Sequence, residues 1–258
     1  MRVLVDGTLT EPRLDHPEGV AVARDGSVWC GGERGQIYRF ADGVLEEVAS
    51  TGGFILGLAF DAHGDLFVCD IKHGAVFRYR DGLERFAEGF KNPNAIAFDA
   101  EGRMYLSDSH TPAAPGIYRY EPDGTGGLWD ERPLHFANGI ALFEDALYVA
   151  ETWAHAVVRI AIEPDGSPGE RSVVAQLDGV LPDGLAFDVQ GRLYVACYEP
   201  SQILRVQDGR VEVFAHDPTA HTLCHPTNVA FRGSDLIAAN LGRWHLTLIE
   251  TDTTGVLL

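Results

Sequence analysis

Short apolar stretches separated by turn residues recur along the whole chain, and their period predicts strands. The phrase x-Gly-apolar-Ala-apolar, or a close variant of it, occurs six times at intervals of 38, 38, 44, 45 and 44 residues. In the second repeat the large side chains Leu58 and Phe60 alternate with Gly57 and Ala59, which is typical of a strand with one large and one small face. The six phrases open at Glu18, Leu56, Asn94, Asn138, Asp183 and Thr227.

Each repeat has room for four short strands. In the second repeat a turn at 61–64 is followed by apolar runs at 66–68, 75–79 and 83–86. A period near 40 residues with four strands is typical of β-propellers, and 258 residues divided by six gives 43. The sequence therefore predicts an all-β fold, a six-bladed β-propeller of four-stranded antiparallel blades, with 1–258 as one domain.

The last repeat is the shortest, and this bears on how the ring closes. An unpaired strand at the edge of a blade would invite aggregation. We therefore expect a strand within Arg2–Leu9 to complete the outer edge of the last blade, beside the C-terminal segment.

Composition narrows the classes of partner. The formal net charge is −18, from 20 basic and 38 acidic residues, which disfavours binding to nucleic acid or to anionic membranes. No apolar run approaches the length needed to cross a bilayer, and the N-terminus lacks the pattern of a leader peptide. We expect a cytoplasmic protein, a monomer or weak homo-oligomer, that acts on a small molecule. The four widely spaced cysteines are expected to be small buried side chains.

The residues that open the six phrases are candidates for a metal site. Propeller symmetry brings them to one mouth of the central channel, and five of the six carry side-chain oxygen. Carboxylate and amide oxygens without sulfur or imidazole suit a hard cation, so we expect one divalent cation, Ca²⁺ first, with Mg²⁺, Mn²⁺ or Zn²⁺ as alternatives. The expected ligands are Glu18, Asn138, Asp183 and Asn94. The alternative for each is a turn residue bonded to nearby backbone, and Asn94 is also a candidate for substrate contact.

A second column of residues ends the second strand of each repeat. Its acids can either orient the metal ligands or bond to backbone and stiffen each blade, and the second interpretation is favoured. The column reads Gly32, Asp70, Asp108, Glu151, Cys197 and Asn240.

Aromatic and imidazole side chains follow the second strands. Loops there are expected to overhang the mouth and form the wall of a pocket for an organic ligand. The residues in question are His110, Trp153, His155, Tyr198 and Trp244. Of these, His110, Trp153 and Tyr198 are the expected substrate-binding residues, together with Asn94.

Five separated motifs resemble the SMP-30/gluconolactonase family of six-bladed propellers. They are HPEG at Glu18, NPNAIAFD at Asn94, NG at Asn138, PDG at Asp183 and PTNVAF at Thr227. The resemblance implies a divalent cation held by Glu18, Asn138 and Asp183. The diisopropylfluorophosphatase branch, a group of calcium propellers, adds an Asn that matches Asn94.

The chain departs from the family pattern at several positions. Asn94 is followed by Ala95 where many family lactonases have Asn-Asp, and Asn92 stands where sugar-lactone enzymes can carry Arg. The phrase after the first glutamate is Glu18-Gly-Val-Ala-Val in place of Glu-Gly-Pro-x-Trp. These differences leave the metal ligands in place and weaken the expectation of a sugar lactone as substrate.

The resemblance implies metal-assisted hydrolysis of a lactone or similar cyclic ester. Asp183, or a nearby histidine, would take a proton from the attacking water. Alternatives are a phosphotriesterase, lyase or cyclase reaction at the same site. The related strictosidine synthases use a carboxylate without a metal, and a further alternative is a propeller that binds ligands without catalysis.

Overall fold

Six four-stranded antiparallel sheets surround a central channel in the computed structural model, which describes residues 1–256. The innermost strands are Val20–Val22 (β2), Ile55–Phe60 (β6), Pro93–Phe98 (β10), Ala137–Leu142 (β14), Leu181–Phe187 (β18) and Pro226–Arg232 (β22). The second strands are Val28–Gly31 (β3), Leu66–Asp70 (β7), Met104–Asp108 (β11), Ala146–Glu151 (β15), Leu193–Glu199 (β19) and Asp235–Asn240 (β23).

Two further strands complete each blade. The third strands are Gln36–Ala41 (β4), Ala75–Tyr79 (β8), Ile117–Tyr120 (β12), Ala156–Ile162 (β16), Gln202–Gln207 (β20) and His245–Glu250 (β24). The outer strands are Val44–Ser50 (β5), Leu83–Glu88 (β9), Gly126–Asp130 (β13), Pro168–Gln176 (β17), Arg210–His216 (β21) and Arg2–Asp6 (β1). One short 3₁₀ helix, Thr152–Ala154, follows β15. The predicted six-bladed propeller is confirmed.

The N-terminal strand closes the ring, as predicted. Strand β1 pairs antiparallel with β24, from Arg2 opposite Leu248 to Asp6 opposite His245, and so forms the outer edge of the last blade. Because the first and last segments of the chain share this sheet, the last blade has no vacant outer position.

The inner strands pack too closely for a side chain at the glycine that follows the opening residue in four of the six phrases. A Cβ atom on Gly19 would lie 2.1 Å from the carbonyl oxygen of Leu56, and one on Gly139 would lie 2.2 Å from that of Asp183. Glycine at these positions is therefore required by the backbone of the next blade, whereas Ala95 and Asn228 occupy the equivalent position in the third and sixth repeats. The large side chains of the same strands fill the spaces between blades, and all of them are buried: Val20, Leu58, Ile96, Ile140, Leu185 and Val229.

The cysteines are buried and free, in agreement with their expected role as small core side chains. Within residues 1–256 there is no helix with the length and apolar character that a membrane span requires.

Strand β1 gives a direct test of ring closure. Val5 is 3% exposed and packs in the core, whereas Val3, two residues earlier, is 38% exposed. A Val5→Asp substitution would bury an unpaired carboxylate, so we expect a loss of about 3 kcal/mol and a fall in Tm of roughly 6 to 12 °C. The matched control, Val3→Asp, should change Tm by less than about 2 °C. Deleting residues 1–10 should destabilise the whole protein, and equal Tm values for the two point variants would contradict the role of β1.

Candidate functional site

The residues that open the six phrases form a ring around one end of the channel. Glu18 lies two residues before β2, and the other five lie near the starts of their inner strands. At the four glycines that follow a ring residue, a Cβ would lie 2.1–2.7 Å from the backbone carbonyl oxygen of the next ring residue. Ser107 of β11 donates to the carbonyl oxygen of Asn138, and the hydroxyl of Thr227 closes the circle by donating to the carbonyl oxygen of Glu18 at 2.6 Å. The predicted placement at one mouth follows from these contacts.

All five oxygen-bearing side chains of the ring are buried, and four of them are carboxylates or amides. The exposed fractions are 6% for Glu18, 6% for Asn94, 5% for Asn138 and 7% for Asp183. The two remaining members differ, because Leu56 has no polar side-chain atom and the Thr227 hydroxyl is occupied by its bond to the next blade. The ring therefore offers two carboxylates and two amides.

The amides of Asn94 and Asn138 are held in one orientation by hydroxyl groups. Nδ2 of Asn94 donates to Oγ of Ser109 at 3.2 Å, and Nδ2 of Asn138 donates to Oγ1 of Thr152 at 3.1 Å. The carbonyl oxygen of the Asn138 side chain is buried and has no hydrogen-bond partner among the described residues. A buried acceptor without a donor is costly, and a cation would satisfy it. The donor set thus fits a hard divalent cation held by oxygen.

The two carboxylates of the ring interact through their charge. Burial raises the pKa of Glu18 to about 8. Burial also raises the pKa of Asp183 well above its ordinary value, and the charge of Glu18 raises it further, while the amide of Asn138 acts in the opposite direction. Both shifts express first the cost of burying a charged carboxylate, which a proton or a cation would relieve.

The second column bonds to backbone, as the favoured interpretation stated. Four of its members accept a hydrogen bond from the backbone N–H that lies 16 residues earlier. The pairs are Asp70 with Phe54 at 3.2 Å, Asp108 with Asn92 at 2.6 Å, Glu151 with His135 at 2.8 Å, and Asn240 with Cys224 at 2.8 Å. Each bond ties the end of a second strand to the segment entering the inner strand, so this column fixes the approach to the ring.

The predicted substrate-binding residues lie at the same end of the blades as the ring. Trp153 is on the 3₁₀ helix and is 51% exposed, with its ring against Phe136 at a centroid distance of 5.6 Å. Tyr198 belongs to strand β19 rather than to a loop, and it stacks on His225 at 4.7 Å. Nε2 of His110 lies 3.2 Å from a carboxylate oxygen of Asp108.

The two other residues of the expected wall are held by specific contacts. Nδ1 of His155 lies 2.6 Å from the carbonyl oxygen of Val180. Trp244 packs edge-on against His16 at 5.0 Å.

Three residues of this mouth were missed by the sequence reasoning. His16, Phe136 and His225 each lie two positions before a ring residue, and each has a left-handed backbone, with φ of 45°, 64° and 47°. Each pairs with an aromatic residue from a second strand or the segment after it. The position two residues before a ring residue, which all three share, was the signal in the sequence that could have identified them. Their left-handed backbone could not be expected, because it is uncommon for such large side chains.

A separate cluster of Asp15, His16 and Glu33 brings ligand-type atoms within 4.8 Å of one another. Two of its ligand-type atoms already have hydrogen-bond partners, and Nδ1 of His16, which has none among the described residues, lies 3.4 Å from a carboxylate oxygen of Glu33. Nε1 of Trp244 donates to Nε2 of His16 at 2.6 Å, which places the His16 proton on Nδ1, and Asp15 accepts from Arg34 at 2.8 Å. We therefore interpret this cluster as a hydrogen-bond network that supports the mouth.

A cavity of about 450 Å³ occupies the channel on the other side of the ring. It is lined by residues further along the inner strands, including Val22, Phe60, Leu142 and Phe187. His110, Trp153 and Tyr198 do not line it. The channel therefore has an apolar end and, at the ring, a polar end.

Comparison with known proteins places the chain in a family. The sequence profile of the SMP-30/gluconolactonase/LRE-like region matches residues 87–239, and the profile of the N-terminal region of strictosidine synthase-like proteins matches residues 8–40. Lactonase drp35 of Staphylococcus aureus is 32% identical over 160 residues, which is 55% of this chain and 49% of that protein. Protein strictosidine synthase-like 6 of Arabidopsis thaliana is 26% identical over 218 residues, 71% of this chain and 56% of that protein. The chain spans about half the length of these curated relatives.

Solved structures share the fold. A gluconolactonase from Xanthomonas campestris superimposes with a TM-score of 0.77 at 21% identity, over 92% of this chain and 87% of that one. A streptogramin B lyase gives a TM-score of 0.70 at 19% identity, over 94% and 82%. The family profile covers more than half of the sequence, and the chain belongs to the SMP-30/gluconolactonase/LRE-like family.

Proposed function

We propose that this protein is a metal-dependent hydrolase that opens a lactone or similar cyclic ester. The observation that carries the proposal is the ring, in which Glu18 and Asp183 are buried together with a side-chain oxygen of Asn138 that has no partner in the described part of the chain. Membership of the family supports the same activity, as does the similarity to a lactonase and to a gluconolactonase.

The ligands would be Glu18, Asn94, Asn138 and Asp183, which present only oxygen. Ca²⁺ is the ion that suits such a set best, because it accepts several oxygen ligands in loose geometry. When bound, the cation supplies a Lewis acid that polarises the substrate carbonyl and stabilises the developing oxyanion.

Asp183 is the residue to which we assign proton transfer. One of its oxygens would remain free beside the attacking water and would accept a proton from it. The water oxygen forms a bond to the carbonyl carbon, the ring C–O bond breaks, and the proton passes from Asp183 to the leaving ring oxygen. Glu18 and the two amides stay fixed through this sequence.

The aromatic residues of the mouth would contact the body of the substrate. Trp153 is exposed and rests on Phe136, and Tyr198 and His225 form a stacked pair. His110 lies in the segment that follows β11 at the same mouth. Together with Asn94, the residues Trp153, Tyr198 and His110 would set the orientation of an organic ring above the ligands.

A second candidate function is acid–base catalysis by a carboxylate without a metal, and one observation favours it. Without a cation, the pKa of Glu18 is about 8, which suits a carboxylate for acid–base catalysis near neutral pH. Residues 8–40, which include Glu18, match the N-terminal region of strictosidine synthase-like proteins. Metal analysis of active protein separates the two functions, since full activity without a metal would favour this second one.

Replacement of Asp183 tests the main proposal. Asp183→Asn keeps the shape of the side chain and removes its ability to accept a proton, so kcat for lactone hydrolysis should fall about 100-fold or more. The assay is a panel of lactones with Ca²⁺, with chelator, and after Ca²⁺ is restored. Asp178→Asn, an exposed aspartate five residues earlier, is the matched control and should retain full activity. Unchanged turnover in Asp183→Asn would refute its role, and no metal-dependent turnover of any lactone would refute the function.

Stability of the metal-free protein should depend on pH through Glu18. Its pKa is about 8 in the folded protein and near its ordinary 4.5 in the unfolded chain, so between these values only the folded state keeps the proton. The free energy of unfolding of the metal-free protein therefore falls as pH rises from about 4.5 to about 8, by up to about 1.4 kcal/mol per pH unit. Glu18→Gln has no titrating group at this position, so its stability lacks this dependence on pH.

The measurement is thermal unfolding in chelator from pH 5 to pH 8. The Tm of Glu18→Gln should rise relative to wild type across this range. Titrating groups away from the ring, such as the buried His245, are common to both proteins and cancel in the difference. Asp183 does not cancel, because the charge of Glu18 raises its pKa, and its loss of that effect in Glu18→Gln acts in the same direction. A difference that does not change with pH would show that Glu18 keeps an ordinary pKa.

Trp153 tests the substrate wall. Trp153→Ala should raise KM about fivefold, which corresponds to about 1 kcal/mol of lost contact, with little change in kcat or Tm because the side chain is half exposed. Leu128→Ala, on the outer strand β13 and 45% exposed, is the control and should leave KM unchanged. A KM equal to that of wild type would remove Trp153 from the binding site.

A further inference from the structure

We propose that Ser109 and Thr152 are positioning residues that determine which atom of each amide ligand faces the cation. Neither hydroxyl is expected to touch the ion. This inference rests on the proposed function, because it assumes that Asn94 and Asn138 hold a cation through their side-chain oxygens.

The single proton of the Thr152 hydroxyl decides the orientation of Asn138. Oγ1 of Thr152 donates that proton to the carbonyl oxygen of Pro182 at 2.8 Å. The hydroxyl can then only accept at its 3.1 Å contact with the Asn138 amide, so the group facing it must be the N–H donor. Nδ2 is fixed towards Thr152, and Oδ1 is directed away from it, where it is buried and has no partner among the described residues.

Ser109 fixes Asn94 in the same way in the preceding blade. Its Oγ donates to the carbonyl oxygen of Ala137 at 2.6 Å and accepts from Nδ2 of Asn94 at 3.2 Å. Ser109 is fully buried, so water does not compete for these positions. The two hydroxyls lie 15 and 14 residues after their amides, at equivalent places just beyond the second strand.

Reversing either amide would carry two penalties. The amide oxygen would meet a hydroxyl oxygen that has no proton left to give, and the NH₂ group would point at the cation. Loss of a buried hydrogen bond alone costs about 1–3 kcal/mol. The carboxylates of Glu18 and Asp183 need no such control, because their two oxygens are chemically equivalent.

The same hydroxyls join consecutive ligands across blade boundaries. The acceptor of Ser109 is the residue before Asn138, and the acceptor of Thr152 is the residue before Asp183. Asn94, Asn138 and Asp183 are thus linked in series through two hydroxyls. Because each of these hydroxyls also holds a side-chain amide, its loss should alter the affinity of the site for its cation, whereas loss of a bond between blades alone should not.

Titration calorimetry with Ca²⁺ on the purified full chain tests the inference. Thr152→Val keeps the shape of the side chain but neither accepts nor donates, and it should weaken Ca²⁺ binding by about 10- to 100-fold. Thr152→Ser restores the hydroxyl and should bind within about threefold of wild type. Ser109→Ala should weaken Ca²⁺ binding in the same range as Thr152→Val.

Thr227→Val is the matched control for a purely structural role. Thr227 is buried and its hydroxyl also donates to a carbonyl of the next blade, at 2.6 Å, but no side-chain amide donates to it. We expect a similar fall in Tm for Thr227→Val and Thr152→Val, with Ca²⁺ affinity within about threefold of wild type only for Thr227→Val.

The outcomes separate this inference from the function on which it rests. Wild-type affinity in Thr152→Val, or equal weakening in Thr227→Val, would overturn the positioning role while the metal site stands. Absence of Ca²⁺, Mg²⁺, Mn²⁺ and Zn²⁺ binding by the wild type would overturn the metal site, and the positioning role with it.

Discussion

The burial of two carboxylates in one ring at the mouth of the channel is the constraint on which the site depends. Glu18 and Asp183 come from different blades and are both more than nine-tenths buried, and the charge of one raises the pKa of the other. Such a pair is stable only with a proton or a cation to offset the charge. The amide oxygen of Asn138, which has no partner among residues 1–256, is a further oxygen that a cation could bind together with both carboxylates.

The closeness of the inner strands creates this constraint. Gly19 and Gly139 allow the next blade to approach to a distance at which no other side chain fits. At these short distances the hydroxyls of Ser109, Thr152 and Thr227 donate hydrogen bonds to backbone carbonyl oxygens of the next blade. Contact between neighbouring blades and orientation of the two amides therefore rest on the same hydroxyl groups.

The fold and the ring could be predicted from the sequence because both depend on a repeated pattern. A period near 40 residues identifies the blades, and equal positions in equal blades must meet around an axis. The orientation of each amide could not be predicted, since it depends on where Ser109 and Thr152 direct one proton each. The left-handed backbone of His16 and Phe136 also could not be predicted, because large side chains seldom adopt it.

A crystal structure grown with Ca²⁺, with the ion identified by anomalous scattering, tests the central claim most directly. The account predicts one anomalous peak on the channel axis, contacted by side-chain oxygens of Glu18, Asn94, Asn138 and Asp183, with the amide nitrogens turned towards Ser109 and Thr152. Four side chains directed away from one another, with only water between them and no peak on the axis, would contradict it.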